Sequence, residues 1–410
     1  MTTALPDAVL DRLLEQLDTP FYVLDLDAVE AAYRAHLEAW REGSDSVTVA
    51  YPYKANPLSG LTTLLRELGA AADVGSGTEL EWALDDGFEP ASILFSGPVK
   101  RRPELARAVD VGALVQVDAL DELDALLSVA AAAERTPRVS LRLTTRYGPG
   151  WSRFGLLPDE AAAAARRLRS LEIPLEGFHF HGGSNLTGPE LHVDTIERSA
   201  ELIRSTIAGA AGRVVLDCGG GYPTTSLGAR GDAPPIEAFA RRVVAALHAN
   251  GIERDAVHLV VEPGRALAEQ AGTLVARVIG TKARDGRRIA TIDAGGNLVR
   301  SNRDWQHGIR FARGPGDGTV HYAVYGALCL EGDRFAASVP GPEDLAAEDV
   351  VIVEGAGAYD MAAAAPWMRP LPPVVGHRGG ETWILRDAQT RESVRANERA
   401  LTAWLPTQRS

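Results

Sequence analysis

Cysteine is nearly absent from this chain of 410 residues, which has only Cys218 and Cys329. Two thiols cannot build a disulfide framework or a closed zinc site, so the expected compartment is reduced and cytoplasmic. Long apolar runs are missing too, and none could span a bilayer. The N-terminus, Met1-Thr2-Thr3-Ala4-Leu5-Pro6-Asp7, lacks the basic start and apolar core of a signal peptide. Positive charge is in deficit: 42 Lys and Arg against 55 Asp and Glu leave a formal net charge of −13. This argues against nucleic acid or an anionic membrane as partner, because either needs a basic face. Lysine is scarce while Arg, Ala and Gly are abundant, which fits a GC-rich genome.

What is present is ordinary for a globular protein, with 45% apolar and 24% charged residues. At this length two domains are expected. Short apolar runs at 47–50, 71–74, 93–96, 113–117, 139–143, 177–181, 214–217 and 257–261 read as strands. Between them lie helical patterns at 61–68, 78–86, 104–109, 121–132, 159–168, 190–208 and 236–249. Such alternation predicts βαβ units and a parallel sheet. Eight repeats in about 220 residues fit a closed (β/α)8, TIM-like barrel, with a doubly wound open sheet as the alternative. After residue 265 the pattern changes to β-rich runs at 272–279, 288–292, 320–325, 334–339 and 349–353, without helices between them. This predicts an all-β domain. The strand-like segment 19–24 can pair into it. The expected division is a barrel over 28–266 and a β domain from 1–27 and 267–410.

In a parallel barrel the chemistry collects at the C-terminal ends of the strands. Lys54, in Tyr51-Pro52-Tyr53-Lys54-Ala55-Asn56-Pro57, follows the first barrel strand. A lysine there can lose its proton on partial burial and form a Schiff base with a carbonyl, although a lone lysine is as often a solvated loop residue. Later strand ends supply Asp73, Ser96, Asp118, Arg142, His179, His181, Asp217 and Glu262. Gly219-Gly220-Gly221 is either a plain turn or bare backbone that a phosphate can approach. Ser184 and Arg265 can add donors to the same anion. The spacing of His179 and His181 puts both imidazoles on one side of a regular strand. A metal pair is one reading of it, but no third or fourth ligand is evident nearby, and no metal is expected. A flat imidazole could instead stack on a heteroaromatic ring, and Glu262 could hold a pyridine nitrogen protonated.

These segments occur in a fixed order: Tyr-Lys-Ala-Asn-Pro, Asp-Val-Gly-Ser-Gly-Thr-Glu-Leu, Phe-His-Phe-His-Gly-Gly-Ser, Leu-Asp-Cys-Gly-Gly-Gly and Glu-Pro-Gly-Arg. Together they resemble the motifs of the fold-type III decarboxylases that use pyridoxal 5'-phosphate, the group of diaminopimelate, ornithine and arginine decarboxylases. The resemblance runs from Thr19 to about Arg369. It implies that Lys54 is the Schiff-base lysine, that His181 stacks on the ring and that Glu262 pairs with the pyridine nitrogen. Ser184, Gly220, Gly221, Gly264, Arg265 and Tyr359 would surround the phosphate, with Asp73 and Glu79 near Lys54. Cys329, in Tyr325-Gly326-Ala327-Leu328-Cys329-Leu330-Glu331-Gly332-Asp333, would come from the partner subunit of a homodimer with shared active sites and return a proton to the substrate carbon.

The sequence departs from that pattern where substrates are read. Relatives place an acid directly after the catalytic cysteine to meet a distal amine. Here that position is Leu330, and the acid comes one place later, at Glu331. In Asp293-Ala294-Gly295-Gly296-Asn297-Leu298-Val299-Arg300, which resembles the substrate loop, the usual Arg-Pro is Arg300-Ser301. Arg300, Arg303 and Arg310 are candidates for a distal carboxylate, with a solvated surface role as the alternative. The expected reaction is decarboxylation of a diaminopimelate-like, carboxylate-bearing or conjugated amino acid, of the kind used in siderophore or antibiotic biosynthesis. The alternatives are an amino-acid racemase on the same barrel and a non-catalytic regulatory homologue.

Overall fold

The computed structural model describes residues 5–224, 234–303, 307–314 and 319–398, apart from the side chains of Asn302, Arg303 and Thr319. Strand β1 (Phe21–Asp25) comes first, followed by β2 (Val47–Pro52), β3 (Ala71–Val74), β4 (Ile93–Phe95), β5 (Leu114–Val117) and β6 (Arg138–Arg142). A hairpin of β7 (Arg146–Tyr147) and β8 (Gly150–Trp151) interrupts the series, which resumes with β9 (Leu175–His179), β10 (Val214–Asp217) and β11 (Val257–Val261). Strands β2 to β6 and β9 to β11 form a closed parallel barrel. Closure is the pairing of β11 with β2, Leu259 to Val47 through Val261 to Val49, and it rules out the open sheet.

The barrel interior explains where chemistry can sit. Ala50, Ala71, Leu94, Leu114 and Val260 form one apolar cluster of buried residues. Side chains alternate along a strand, so the residues two places on, such as Asp73, Gln116 and Glu262, lie on the same face one layer higher. They are buried, as are Arg142, His179 and Asp217. The apolar plug therefore gives way to a dry polar layer at the C-terminal mouth.

The helices pack outside this barrel. The helix Leu26–Arg41 starts where Asp25 accepts a hydrogen bond from the Ala28 N–H at 3.0 Å. It buries Leu26, Val29, Tyr33, His36, Ala39 and Trp40, a spacing of three to four that marks one helical face. This helix and the shorter Asp7–Gln16 are absent from the sequence expectation.

The C-terminal part contains β12 (Gly272–Arg284), β13 (Arg287–Ile292), β14 (Ile309–Phe311), β15 (Thr319–Tyr325), β16 (Arg334–Pro342), β17 (Val350–Glu354), β18 (Val374–Arg378) and β19 (Glu381–Arg386). They make a nine-stranded sheet together with β1, which is antiparallel to β12 and parallel to β18. The N-terminal strand thus lies in the C-terminal sheet. No helix among the described residues is long and apolar enough to cross a membrane.

Candidate active site

Lys54 stands two residues beyond β2, with Nζ 3.4 Å from Asp73 Oδ2. Asp73 ends β3's inward face and also accepts the Ser96 hydroxyl. Burial pulls the Lys54 pKa down, but the negative charges of Asp73 and Glu262 outweigh it and leave the ammonium above its ordinary value. The sequence expectation of a proton lost through burial is therefore corrected: in this protein's own field Lys54 is charged. The sequence shows the lysine's place but not the carboxylates that the barrel turns toward it.

Glu262 follows β11 and is 2% exposed. Its Oε1 has no hydrogen-bond partner among the described residues, with His179 Nε2 3.5 Å away. Burial, then the charges of Asp217 and Asp73, raise its pKa well above the ordinary value. His181 Nδ1 accepts the Gly220 N–H at 2.9 Å. Burial, followed by the charges of Lys54 and Arg142, pushes His181 down to about 3. The ring is thus a neutral imidazole whose orientation is fixed by a backbone donor. The two histidines do lie on one side, with His181 Nδ1 3.9 Å and His179 Nε2 3.5 Å from the Glu262 carboxylate.

Next to them is a concave glycine loop. Gly219 and Gly221 have φ of +64° and +94°, and a Cβ on Gly221 would lie 2.4 Å from the Gly183 carbonyl oxygen. Only glycine permits this loop. Arg265 lies with its guanidinium 4.7 Å from the Tyr359 ring centroid and donates to Glu269 at 3.2 Å. Tyr359 itself has φ +66°, a strained value for a non-glycine residue, and its N–H is held by the Ala55 carbonyl at 2.7 Å. One cavity is lined by Lys54, His181, Ser184, Gly221, Glu262, Gly264, Arg265 and Tyr359. Gly220 and Asp73 touch that set through His181 and Lys54. Glu79 accepts the Gly75 N–H at 2.6 Å and stands near enough to Lys54 and Asp73 to feel both charges.

The remaining candidates lie apart from this cavity within one chain. Cys329 is exposed. Its segment is a bend rather than a strand: the Asp333 carboxylate accepts the Gly296 N–H at 2.7 Å and the Leu328 N–H at 2.8 Å, and the Asp333 N–H closes a turn on Leu330. Leu330 and Glu331 are exposed on that turn. Arg300 is exposed at the start of a short 3-10 turn. Arg310 is engaged with Glu354 at 3.1 Å. The Arg303 side chain lies outside the described residues.

Several polar partners went unassigned from sequence. Gln116 Nε2 donates to Asp217 Oδ2 at 2.6 Å across the barrel, and Arg142 Nη1 to Asp118 Oδ1 at 3.0 Å. Their position at strand ends was the available signal; their partners depend on closure. His179, Asp217 and Glu262 bring potential ligand atoms within 4.8 Å of one another, so a third group does stand beside the histidine pair. Asp217 already accepts hydrogen bonds on both oxygens, which leaves fewer than three open donors for a cation.

Residues 30–269 match the family described as pyridoxal-dependent decarboxylase, pyridoxal binding domain. The diaminopimelate decarboxylase of Pseudomonas aeruginosa is 32% identical, covering 95% of this chain and 92% of its own. That of Actinosynnema pretiosum subsp. auranticum is 33% identical, covering 94% and 90%. Among solved structures, diaminopimelate decarboxylase from M. jannaschii in complex with L-lysine superposes with a TM-score of 0.86 at 25% identity, covering 95% of this chain and 94% of the other.

Proposed function

The chain belongs to the pyridoxal-dependent decarboxylase family, and from that premise we propose that it removes the α-carboxyl group of an amino acid with a second carboxylate at its far end, diaminopimelate being the first candidate. The observation that carries the substrate reading is Leu330. An apolar side chain follows Cys329 where an acid would hold a distal ammonium. The names of the relatives support diaminopimelate, which carries both a distal amine and a distal carboxylate.

The family's cofactor is pyridoxal 5'-phosphate, and the residues fit it. The buried, unpartnered Glu262 Oε1 suits a ring N–H, the glycine loop with Ser184, Arg265 and Tyr359 suits the phosphate, and neutral His181 suits a ring face. When bound, the cofactor supplies an aldehyde for amines and a conjugated ring that accepts the electrons of the breaking carbon–carbon bond. Lys54, which lines the cavity, would supply the amine for that aldehyde. Asp73, 3.4 Å from Nζ, orients it. With the cofactor bound, Glu262 would keep a proton at the ring nitrogen and so supply the strong electron sink that loss of the α-carboxyl group needs. Retention of Lys54 speaks against a non-catalytic homologue. Cys329 of the partner subunit returns a proton to the α-carbon.

The substrate is tested by following carbon dioxide release from a panel of amino acids. Acids with a remote carboxylate and no distal amine are expected to outrun lysine and ornithine by about tenfold or more, since an unpaired ammonium costs ~1–3 kcal/mol; diaminopimelate bears that cost too and is favoured over lysine only by its distal carboxylate. A specificity constant for lysine or ornithine equal to the best acidic candidate would overturn this reading. The shared site is tested by mixing Lys54→Ala with Cys329→Ala protein. Activity should recover toward about a quarter of wild type, because half of randomly exchanged dimers are mixed and each holds one intact site. No recovery after demonstrated subunit exchange would contradict it.

A further inference from the structure

The polar layer under the candidate active site holds two carboxyl groups where the reaction above uses one. Asp217 ends β10 and pairs across the sheet with Val260, two residues before Glu262, so both side chains enter the barrel side by side. They are 0% and 2% exposed. A carboxyl oxygen of each lies within 4.8 Å of the other and of a His179 ring nitrogen, so the two carboxyl groups share one dry site. Two bare carboxylates this close in a dry site cannot both be ionised without a cation between them. The cations nearby are committed elsewhere: Lys54 lies 3.4 Å from Asp73, and Arg142 lies 3.0 Å from Asp118. His179 is neutral, held so by burial and then by the charge of Arg142.

The pair is asymmetric. Asp217 Oδ1 accepts the Gly219 N–H at 2.9 Å and Oδ2 accepts Gln116 Nε2 at 2.6 Å. Two donors make Asp217 the better anion of the two. Burial, and less strongly the charge of Asp73, raise it to about 6 against those two donors, while burial and the neighbouring carboxylates hold Glu262 well above its ordinary value. The Glu262 N–H in turn donates to the Gly219 carbonyl at 2.8 Å. The phosphate-facing loop and the carboxyl facing the ring nitrogen are thereby held as one piece through Asp217.

We propose that Asp217 and Glu262 act as a single acid–carboxylate unit in the holoenzyme, holding one proton between them and presenting one negative charge to the pyridine nitrogen. Asp217 is a positioning residue in this unit: it touches neither ring nor substrate but fixes the carboxyl that does. The charge half of the proposal rests on the reading of Glu262 as the ring-nitrogen partner; the shared proton does not.

Difference infrared spectroscopy of the holoenzyme in H2O and D2O tests the shared proton. Wild type should show one buried carboxylic-acid carbonyl band that shifts on deuteration, and both Asp217→Asn and Glu262→Gln should lose it. Visible absorbance of bound cofactor reports that each variant is folded and loaded. No acid band in wild type, or a band that survives either substitution, would overturn the unit, since the proton would then be absent or belong to one residue. With 15N-labelled cofactor, the ring-nitrogen resonance should be that of a protonated pyridine in wild type and in Asp217→Asn. An unprotonated nitrogen in wild type beside a normal acid band would overturn the charge assignment and the role given to Glu262, with the paired proton still standing.

Discussion

Replacing Lys54 with alanine is expected to abolish the visible absorbance of lysine-bound cofactor and to cut decarboxylation by at least about 10²–10⁴-fold, the range that a positioned acid–base group alone contributes. The effect is large because no other lysine can substitute. The chain has three, and the other two are Lys100, buried against Glu122 at 2.7 Å, and Lys282 on the long strand β12. Lys54 alone lines the cavity with His181 and Glu262. The phosphate cradle is untouched by the substitution, so the variant should still bind the cofactor without covalent attachment. An added primary amine should restore part of the activity. Normal turnover without added amine would remove Lys54 from the chemistry.

Glu262→Gln is expected to retain cofactor but slow decarboxylation by about 10²–10³-fold, the usual loss when one preorganised electrostatic partner is removed from a site where charge moves in the transition state. The carboxamide keeps the shape of the side chain while giving up its charge. The loss should therefore fall on kcat more than on KM, and steady-state kinetics with the best substrate of the panel separate the two. An unchanged kcat would take Glu262 out of the mechanism.

The barrel was legible because its strands are buried on both faces and so read as short unbroken apolar runs. All eight expected runs became barrel strands, and the helix over 236–249 falls on Ile236–Ala249. The half-exposed strands were not legible. The strand Glu381–Arg386 has neither a continuous apolar run nor clean alternation of burial, and Ile309–Phe311 is three residues long. The helix Leu26–Arg41 carries a readable periodicity, its buried residues falling three to four apart. At the site, residues next to strand ends could be read in order, and the histidine pair came out on one side as expected. What could not be read were contacts made by closure. Gln116 and Asp217 are 101 positions apart and meet only because β5 and β10 face each other across the barrel. The charge of Lys54 was hidden for the same reason, since Asp73 and Glu262 come from other strands.

The most direct test of the whole account is to reduce the purified holoenzyme with borohydride, digest it, and locate the cofactor by mass spectrometry. One phosphopyridoxyl adduct is expected, on the peptide that carries Lys54. An adduct on Lys100 or Lys282, or none at all in protein that contains the cofactor, would contradict it.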